Sequence, residues 1–73
     1  MLAFVHVFVY NEYMKKRDLE KKLRELGWDL LREGANHEIW TNGRGVTGRV
    51  PRHREIREGT AKKIIRKATR NRG

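Results

Sequence analysis

The chain has 73 residues, with 18 Lys and Arg against nine Asp and Glu, a formal net charge of +9, and no cysteine. A chain of this length forms one small domain with little room for a deep pocket, and without cysteine it can hold neither a disulfide framework nor a thiolate metal site. The positive charge is spread along the chain, which indicates a polyanionic partner, either nucleic acid or an acidic protein surface.

Residues 1–13 differ in kind from the rest of the chain. The run MLAFVHVFVY is apolar apart from His6, whereas the sequence from Met14 onward is dense in charge. A run of about ten residues is too short to span a bilayer and has no basic segment before it, so we expect a cytoplasmic protein without signal peptide or membrane anchor. We predict an apolar extension over 1–13, either an added β-strand or the product of an upstream start codon, and a functional module over 14–73.

The module begins with one predicted helix and three predicted strands. Leu19, Leu23 and Leu26 recur at spacings of four and three, which predicts an amphipathic helix over residues 16–26 that ends before Gly27. The segments 28–32, 36–41 and 46–51 are bounded by turn residues and predict strands. The dipeptide Asn42-Gly43 predicts a hairpin with a type I′ turn between the second and third strands.

A second helix is predicted over 59–69, after a basic loop, because Ala61, Ile64, Ile65 and Ala68 follow helical spacing. The order α-β-β-β-α predicts an α+β fold in which two helices cover one face of a three-stranded antiparallel sheet. The basic side chains of the loop and of this helix are the expected phosphate-binding surface. They are Arg52, His53, Arg54, Arg57, Lys62, Lys63, Arg66 and Lys67.

His37 is the one histidine within a predicted central strand. Alternation groups it with Ile39 and Thr41, and groups Glu38 with Trp40, but does not decide which group faces the core. A lone strand histidine is more often an ordinary surface or half-buried residue than a catalytic one. No spacing completes a metal site or a nucleotide-binding loop, so we expect no metal and no cofactor. A catalytic histidine among Arg and Lys would be suited to proton transfer on RNA, with the 2′-hydroxyl as nucleophile.

Four stretches of the module resemble the HicA toxins of HicBA type II toxin–antitoxin systems: LEKKLRELGW, GANHEIW, VPRHREI and EGTAKKIIRKA. The resemblance covers residues 14–69 and implies a fold like that of a double-stranded-RNA-binding domain. It also implies a ribosome-independent mRNA interferase with His37 as the catalytic residue and Trp40 as the aromatic that follows it. The implied partners are mRNA and a HicB-type antitoxin that covers the site.

The motif departs from the family at one place. Many HicA sequences read Gly-Ser-His, whereas Ala35 and Asn36 separate Gly34 from His37 here, so we expect a longer turn in which Asn36 or a backbone group replaces the serine hydroxyl. His53 is more consistent with a contact to phosphate or antitoxin than with catalysis. Two alternatives stay open: a non-catalytic double-stranded-RNA-binding module, and a degenerate toxin that serves only as a scaffold for HicB.

Overall fold

A computed structural model describes residues 12–73. In chain order the elements are β1 (Tyr13–Lys15), α1 (Lys16–Glu25), β2 (Asp29–Glu33), β3 (His37–Thr41), β4 (Thr47–Pro51), β5 (Glu55–Arg57) and α2 (Glu58–Arg70). Strands β2, β3 and β4 form an antiparallel sheet in that order, and β1 pairs with β5 in a separate ribbon. The predicted α+β fold with its α-β-β-β-α order is confirmed. Of the apolar extension predicted over 1–13, where we expected an added strand, residues 1–11 lie outside the described residues.

Both helices contribute to a core on one face of the sheet. Leu19 and Leu23 of α1 are fully buried, as the helical spacing of leucines predicts. The nine buried apolar side chains of the described range form one cluster: Leu19, Leu23, Leu26, Trp28, Trp40, Val50, Ile56, Ala61 and Ala68. Neither described helix is both long and apolar enough to cross a membrane.

The ribbon of β1 and β5 was not predicted, and it supplies the helix N-termini with partners. The backbone amide of Lys16 donates to the carbonyl of Arg54 at 2.8 Å, and that of Glu58 donates to the carbonyl of Glu12 at 2.6 Å. Neither helix has a side-chain cap, so the first amide of each helix is satisfied by the carbonyl of the residue just before the opposite strand of the ribbon. The predicted basic loop is therefore wrong in part, because Ile56 is buried in the core.

The hairpin between β3 and β4 is confirmed, but the predicted type I′ turn is wrong. That turn needs positive φ at both central positions, and within residues 12–73 positive φ occurs only at glycines, including Gly43 (75°) and Gly45 (95°). The loop instead covers residues 42–46, between the paired residues Thr41 and Thr47.

Asn42 stabilises this longer loop through its side chain, which is why it is almost buried. Its Oδ1 accepts hydrogen bonds from the amides of Arg44 (2.7 Å) and Val46 (3.2 Å), and its Nδ2 donates to the Asn71 carbonyl at 3.0 Å. Trp28 Nε1 donates to the same carbonyl at 2.8 Å. The hairpin loop is thereby joined to the residues that follow α2.

The last residue of the chain also contacts the core region. The amide of Gly73 donates to the carbonyl of Leu26 at 3.1 Å. Gly27, beside it, has a φ of 88°, and a Cβ there would lie 2.8 Å from the Gly73 carbonyl oxygen. Both the backbone conformation and the close approach therefore require glycine at this position.

Candidate functional site

The two faces of β3 have different environments, which settles the question that alternation left open. Glu38 and Trp40 are buried, with 8% and 1% of their surface exposed, and they face the helices. His37, Ile39 and Thr41 lie on the opposite side, which we call the open face of the sheet together with their register partners on β2 and β4. His37 is exposed there.

His37 is the first residue of β3 and follows a tight loop from Gly34. The Gly34 amide donates to the His37 carbonyl at 2.7 Å. A Cβ at Gly34 would lie 2.9 Å from the same oxygen, closer than ordinary contacts allow. Glycine is therefore needed for the close approach that sets the start of β3 and with it the position of His37.

Arg52 contacts this loop at three points. Its Nη1 donates to the Gly34 carbonyl at 3.0 Å, its Nη2 lies 3.5 Å from a carboxylate oxygen of Glu33, and its backbone amide donates to the Asn36 carbonyl at 3.4 Å. The side chain remains 45% exposed. Arg52, which we predicted to bind phosphate, is thus also a support for the loop that precedes His37.

Directly after His37, Glu38 points to the other side of the sheet and enters a charged network. Its Oε2 accepts a hydrogen bond from Lys16 Nζ at 2.9 Å and its Oε1 accepts one from Trp40 Nε1 at 3.0 Å. Lys16 Nζ also donates to Glu20. The carboxylate of Glu38, paired with Lys16, therefore lies on the helix side of the strand that carries His37.

The pKa values of this network follow from burial and pairing. Burial acts to raise the pKa of Glu38, but hydrogen bonds from Lys16 and Trp40 and the charges of Lys16 and Arg52 hold it below its ordinary value. Burial acts to lower the pKa of Lys16, and its hydrogen bonds to Glu20 and Glu38 raise that pKa instead. Both groups are therefore charged at neutral pH. The sequence offered one indication of the role of Glu38, because alternation places its carboxylate on the same face of the predicted strand as Trp40.

Comparison with known proteins identifies the family. Residues 17–69 match the family model of the HicA toxin of bacterial toxin–antitoxin systems. The chain belongs to the HicA toxin family. It is therefore a toxin that acts with an antitoxin partner. Neither the curated proteins nor the solved structures give a match.

Some of the predicted phosphate-binding residues of this HicA toxin lie beside the Lys16–Glu38 pair. Arg52 and Arg54 line a wide surface depression that also contains Lys15 and Arg17. Lys15 and Arg17 were not predicted to bind phosphate, although the basic run at residues 15–17 is visible in the sequence. His53 is exposed between Arg52 and Arg54.

Arg57 and the basic residues of α2 lie elsewhere. The Arg57 guanidinium lies over the Tyr13 ring, 5.9 Å from its centroid. On α2 the four predicted phosphate-binding cations are exposed and belong to the helical layer, on the far side of the sheet from His37. They are Lys62, Lys63, Arg66 and Lys67. The structure therefore divides the predicted phosphate-binding surface of the toxin into separate regions.

A small apolar crevice lies where α2 meets β4. Trp28, Trp40 and Ile64 are among its lining residues, and Lys63 and Lys67 border it. Within the described range, no three His, Asp or Glu side chains are grouped closely enough to hold a metal ion.

Two further arginines of the toxin, not predicted as site residues from the sequence, lie on the open face. Arg32 on β2 and Arg49 on β4 are both register partners of Ile39. Both are exposed. Their positions became apparent only when the register of all three strands was known.

Proposed function

We propose that this HicA toxin is a metal-independent, ribosome-independent endoribonuclease that cleaves mRNA with His37 as its catalytic residue. One observation carries the proposal. His37 is exposed at the start of β3 on a loop held by Gly34 and Arg52, inside the region that matches the HicA family. A histidine there is accessible to a phosphodiester, and an imidazole can both accept and donate a proton.

The chemistry needs only proton transfer and charge stabilisation. Neutral His37 would accept the proton of a ribose 2′-hydroxyl as the 2′-oxygen forms a bond to phosphorus. The bond from phosphorus to the 5′-oxygen breaks, and that oxygen takes a proton from water or from the imidazolium. Guanidinium groups nearby would stabilise the negative charge of the pentacoordinate phosphorus. The products are a 2′,3′-cyclic phosphate and a 5′-hydroxyl.

Replacing His37 with Ala tests the proposal directly. We expect RNA cleavage by the purified protein to fall by about 10²- to 10⁴-fold, the usual contribution of a general acid or base, and growth arrest on induced expression to disappear. His53→Ala is the matched comparison, since it removes another exposed histidine; as a predicted phosphate contact it should raise the RNA concentration needed for half-maximal cleavage and leave the rate at saturating RNA largely unchanged. Direct labelling of new 5′-ends by polynucleotide kinase would identify the 5′-hydroxyl. Full cleavage by folded His37→Ala protein would exclude this mechanism.

Binding of mRNA would draw on the predicted basic residues around the site. Arg52, His53 and Arg54 adjoin the His37 loop through β4, and Arg57 follows on β5. The α2 residues Lys62, Lys63, Arg66 and Lys67 would contact more distant phosphates. Each phosphate contact removed by substitution should lower the slope of log affinity against log salt concentration by about 0.7 to 0.9.

The antitoxin of this system would be a HicB-type protein that covers His37. The net charge of +9 favours an acidic partner. Co-expression of such a protein should restore growth, and His37→Ala toxin should still bind it, because the substitution removes little of a protein interface. Restored growth without complex formation would contradict direct neutralisation.

A second candidate is a non-catalytic module that binds double-stranded RNA. It is favoured by the exposed cations of α2, which lie on the opposite side of the fold from His37. Such a module would retain duplex RNA tightly and leave single-stranded RNA intact. A degenerate toxin that only binds HicB would neither cleave nor retain RNA.

A further inference from the structure

The centre of the open face carries a row of three residues across the sheet. Arg32, Ile39 and Arg49 stand side by side on β2, β3 and β4. A shift in register between Leu30 and Arg32 is what brings Arg32 opposite Ile39. The row therefore consists of one half-buried apolar side chain flanked by two cations.

Some arginines within residues 12–73 have a partner and others do not; Arg32 and Arg49 combine an unpaired guanidinium with a position beside Ile39 on the open face. Arg24 lies over the Trp40 ring, and Arg52 pairs with Glu33. The guanidiniums of Arg32 and Arg49, by contrast, form no ion pair or hydrogen bond with any side chain or carbonyl in that range. These two exposed cations, one on each side of Ile39, are therefore available to an anionic ligand.

The row lies next to His37. His37 pairs with Pro51 and Ile39 pairs with Arg49, so Arg49 is the diagonal neighbour of His37 on the same face. Diagonal neighbours in an antiparallel pair are about 7 to 8 Å apart, within reach of a long side chain. Neighbouring strands are about 5 Å apart, so Arg32 and Arg49 start about 10 Å from each other.

We propose that the open face binds single-stranded RNA, with Arg32 and Arg49 holding the phosphates on either side of the nucleotide that contacts Ile39. This inference deepens the proposed function and rests on it, because it places the cleaved linkage at His37. Attack by a 2′-hydroxyl requires the attacking and leaving oxygens to lie on opposite sides of phosphorus. An A-form helix does not present that geometry, whereas an unstacked strand can adopt it and can offer its bases to an apolar surface.

Binding is best measured in the His37→Ala background, where RNA stays intact. The test variant carries Arg32→Gln and Arg49→Gln. The control carries Arg44→Gln and Arg70→Gln, which remove the same charge from an exposed hairpin loop and from the end of α2. The probes are a short single-stranded RNA, a duplex of the same sequence, and poly-glutamate.

We expect the test variant to bind single-stranded RNA at least about tenfold more weakly for each arginine, as loss of a charged hydrogen bond implies. The slope of log affinity against log salt should fall by about 1.4, since each single-strand phosphate contact contributes about 0.7. The control variant should change the slope by less than half as much. All variants should show the same thermal unfolding, because the substituted side chains are exposed.

Three results would overturn the inference: equal losses in test and control variants, a loss confined to the duplex, or an equal loss for poly-glutamate, which would indicate a general anion or protein surface. The outcome is separable from the proposed function. If His37→Ala cleaves RNA normally, the catalytic proposal fails whatever Arg32 and Arg49 bind. If His37→Ala is inactive while the test variant binds RNA as its parent does, only this inference fails.

Discussion

The two faces of β3 separate the residues that hold the fold together from those available for chemistry. Glu38 and Trp40 face the helices, and both are fixed by hydrogen bonds. His37, one residue earlier, is exposed on the open face. Because side chains of a strand alternate with a period of two, neighbouring residues here have opposite roles. Stability and activity can therefore be tested with substitutions a single residue apart.

Trp40→Ala should have the largest effect on the covered face. Removing a fully buried aromatic costs about 3–5 kcal/mol, which approaches the whole stability of a domain of this size at about 0.05–0.15 kcal/mol per residue. We expect a largely unfolded protein by circular dichroism and urea titration. A cost below about 1 kcal/mol would show that the covered face is less tightly packed than its burial indicates.

Glu38→Ala should rank second. It removes the carboxylate partner of Lys16 and of Trp40 Nε1, and breaking a largely buried pair costs about 3–5 kcal/mol. Since Lys16 keeps Glu20 as a partner, we expect a cost near the lower end. A double-mutant cycle with Lys16→Met measures the coupling, which should exceed about 0.5 kcal/mol. Additive effects of the two substitutions would contradict the interaction.

Gly34→Ala should reduce activity more than stability. The new Cβ would force the His37 carbonyl to move, which should lower the free energy of unfolding by about 1–3 kcal/mol, as is typical of overpacking. Because His37 is the proposed catalytic residue, the same movement would displace it and reduce cleavage. Gly59→Ala is the control, because the space around Gly59 is open and the residue is helical. That change should stabilise the protein by about 0.4–1 kcal/mol and leave RNA cleavage intact.

The contribution of the Lys16–Glu38 pair to the free energy of unfolding should depend on pH. The lowered pKa of Glu38 means that its contribution is present above the ordinary value of 4.5 and is lost as pH falls through the lower folded-state value. The raised pKa of Lys16 means that its contribution is present below 10.5 and is lost as pH rises through the higher folded-state value. The stability gap between wild type and Glu38→Gln should therefore narrow in acid, as measured by urea titration. A stability difference that widened in acid would contradict a lowered pKa of Glu38 in the folded protein.

His37→Ala should have the smallest effect on stability. The His37 side chain is exposed and has no hydrogen-bond partner among residues 12–73, and substitution of such a side chain changes the free energy of unfolding by no more than about 0.5 kcal/mol. Thermal unfolding of the variant should match that of the wild type while cleavage is lost. Marked destabilisation would mean that the open face also contributes to holding the fold together.

Apolar periodicity predicted both helices, and the turn residues that bound the short segments between them predicted the three-stranded sheet. The ribbon of β1 and β5 escaped because its strands are three residues long and β5 has charged residues on either side of Ile56. The type I′ turn was predicted from Asn42-Gly43, but the Asn42 side chain binds two loop amides and favours a longer loop. Side-chain hydrogen bonding of this kind competes with the simple turn types.

The candidate site was predictable in part. A family resemblance singled out His37, but alternation alone could not assign it to the open face, because Ile39 and Trp40 were equally plausible core residues. Arg32 was missed because the register shift in β2 changes which residues share a face. Arg49 pairs with Ile39 in regular register, and it was missed because alternation did not decide which face of the sheet is open. A regular alternation would have placed Arg32 differently.

The contacts of the last residues affect how this protein can be handled. The Asn71 carbonyl accepts hydrogen bonds from both Trp28 and Asn42, and the Gly73 amide donates to Leu26. A truncation that removes Asn71 would leave the Trp28 and Asn42 donors without their acceptor and should lower the melting temperature. Any change to the backbone at residues 71–73 would act on the same hydrogen bonds, so these residues should be kept unaltered when the toxin is purified.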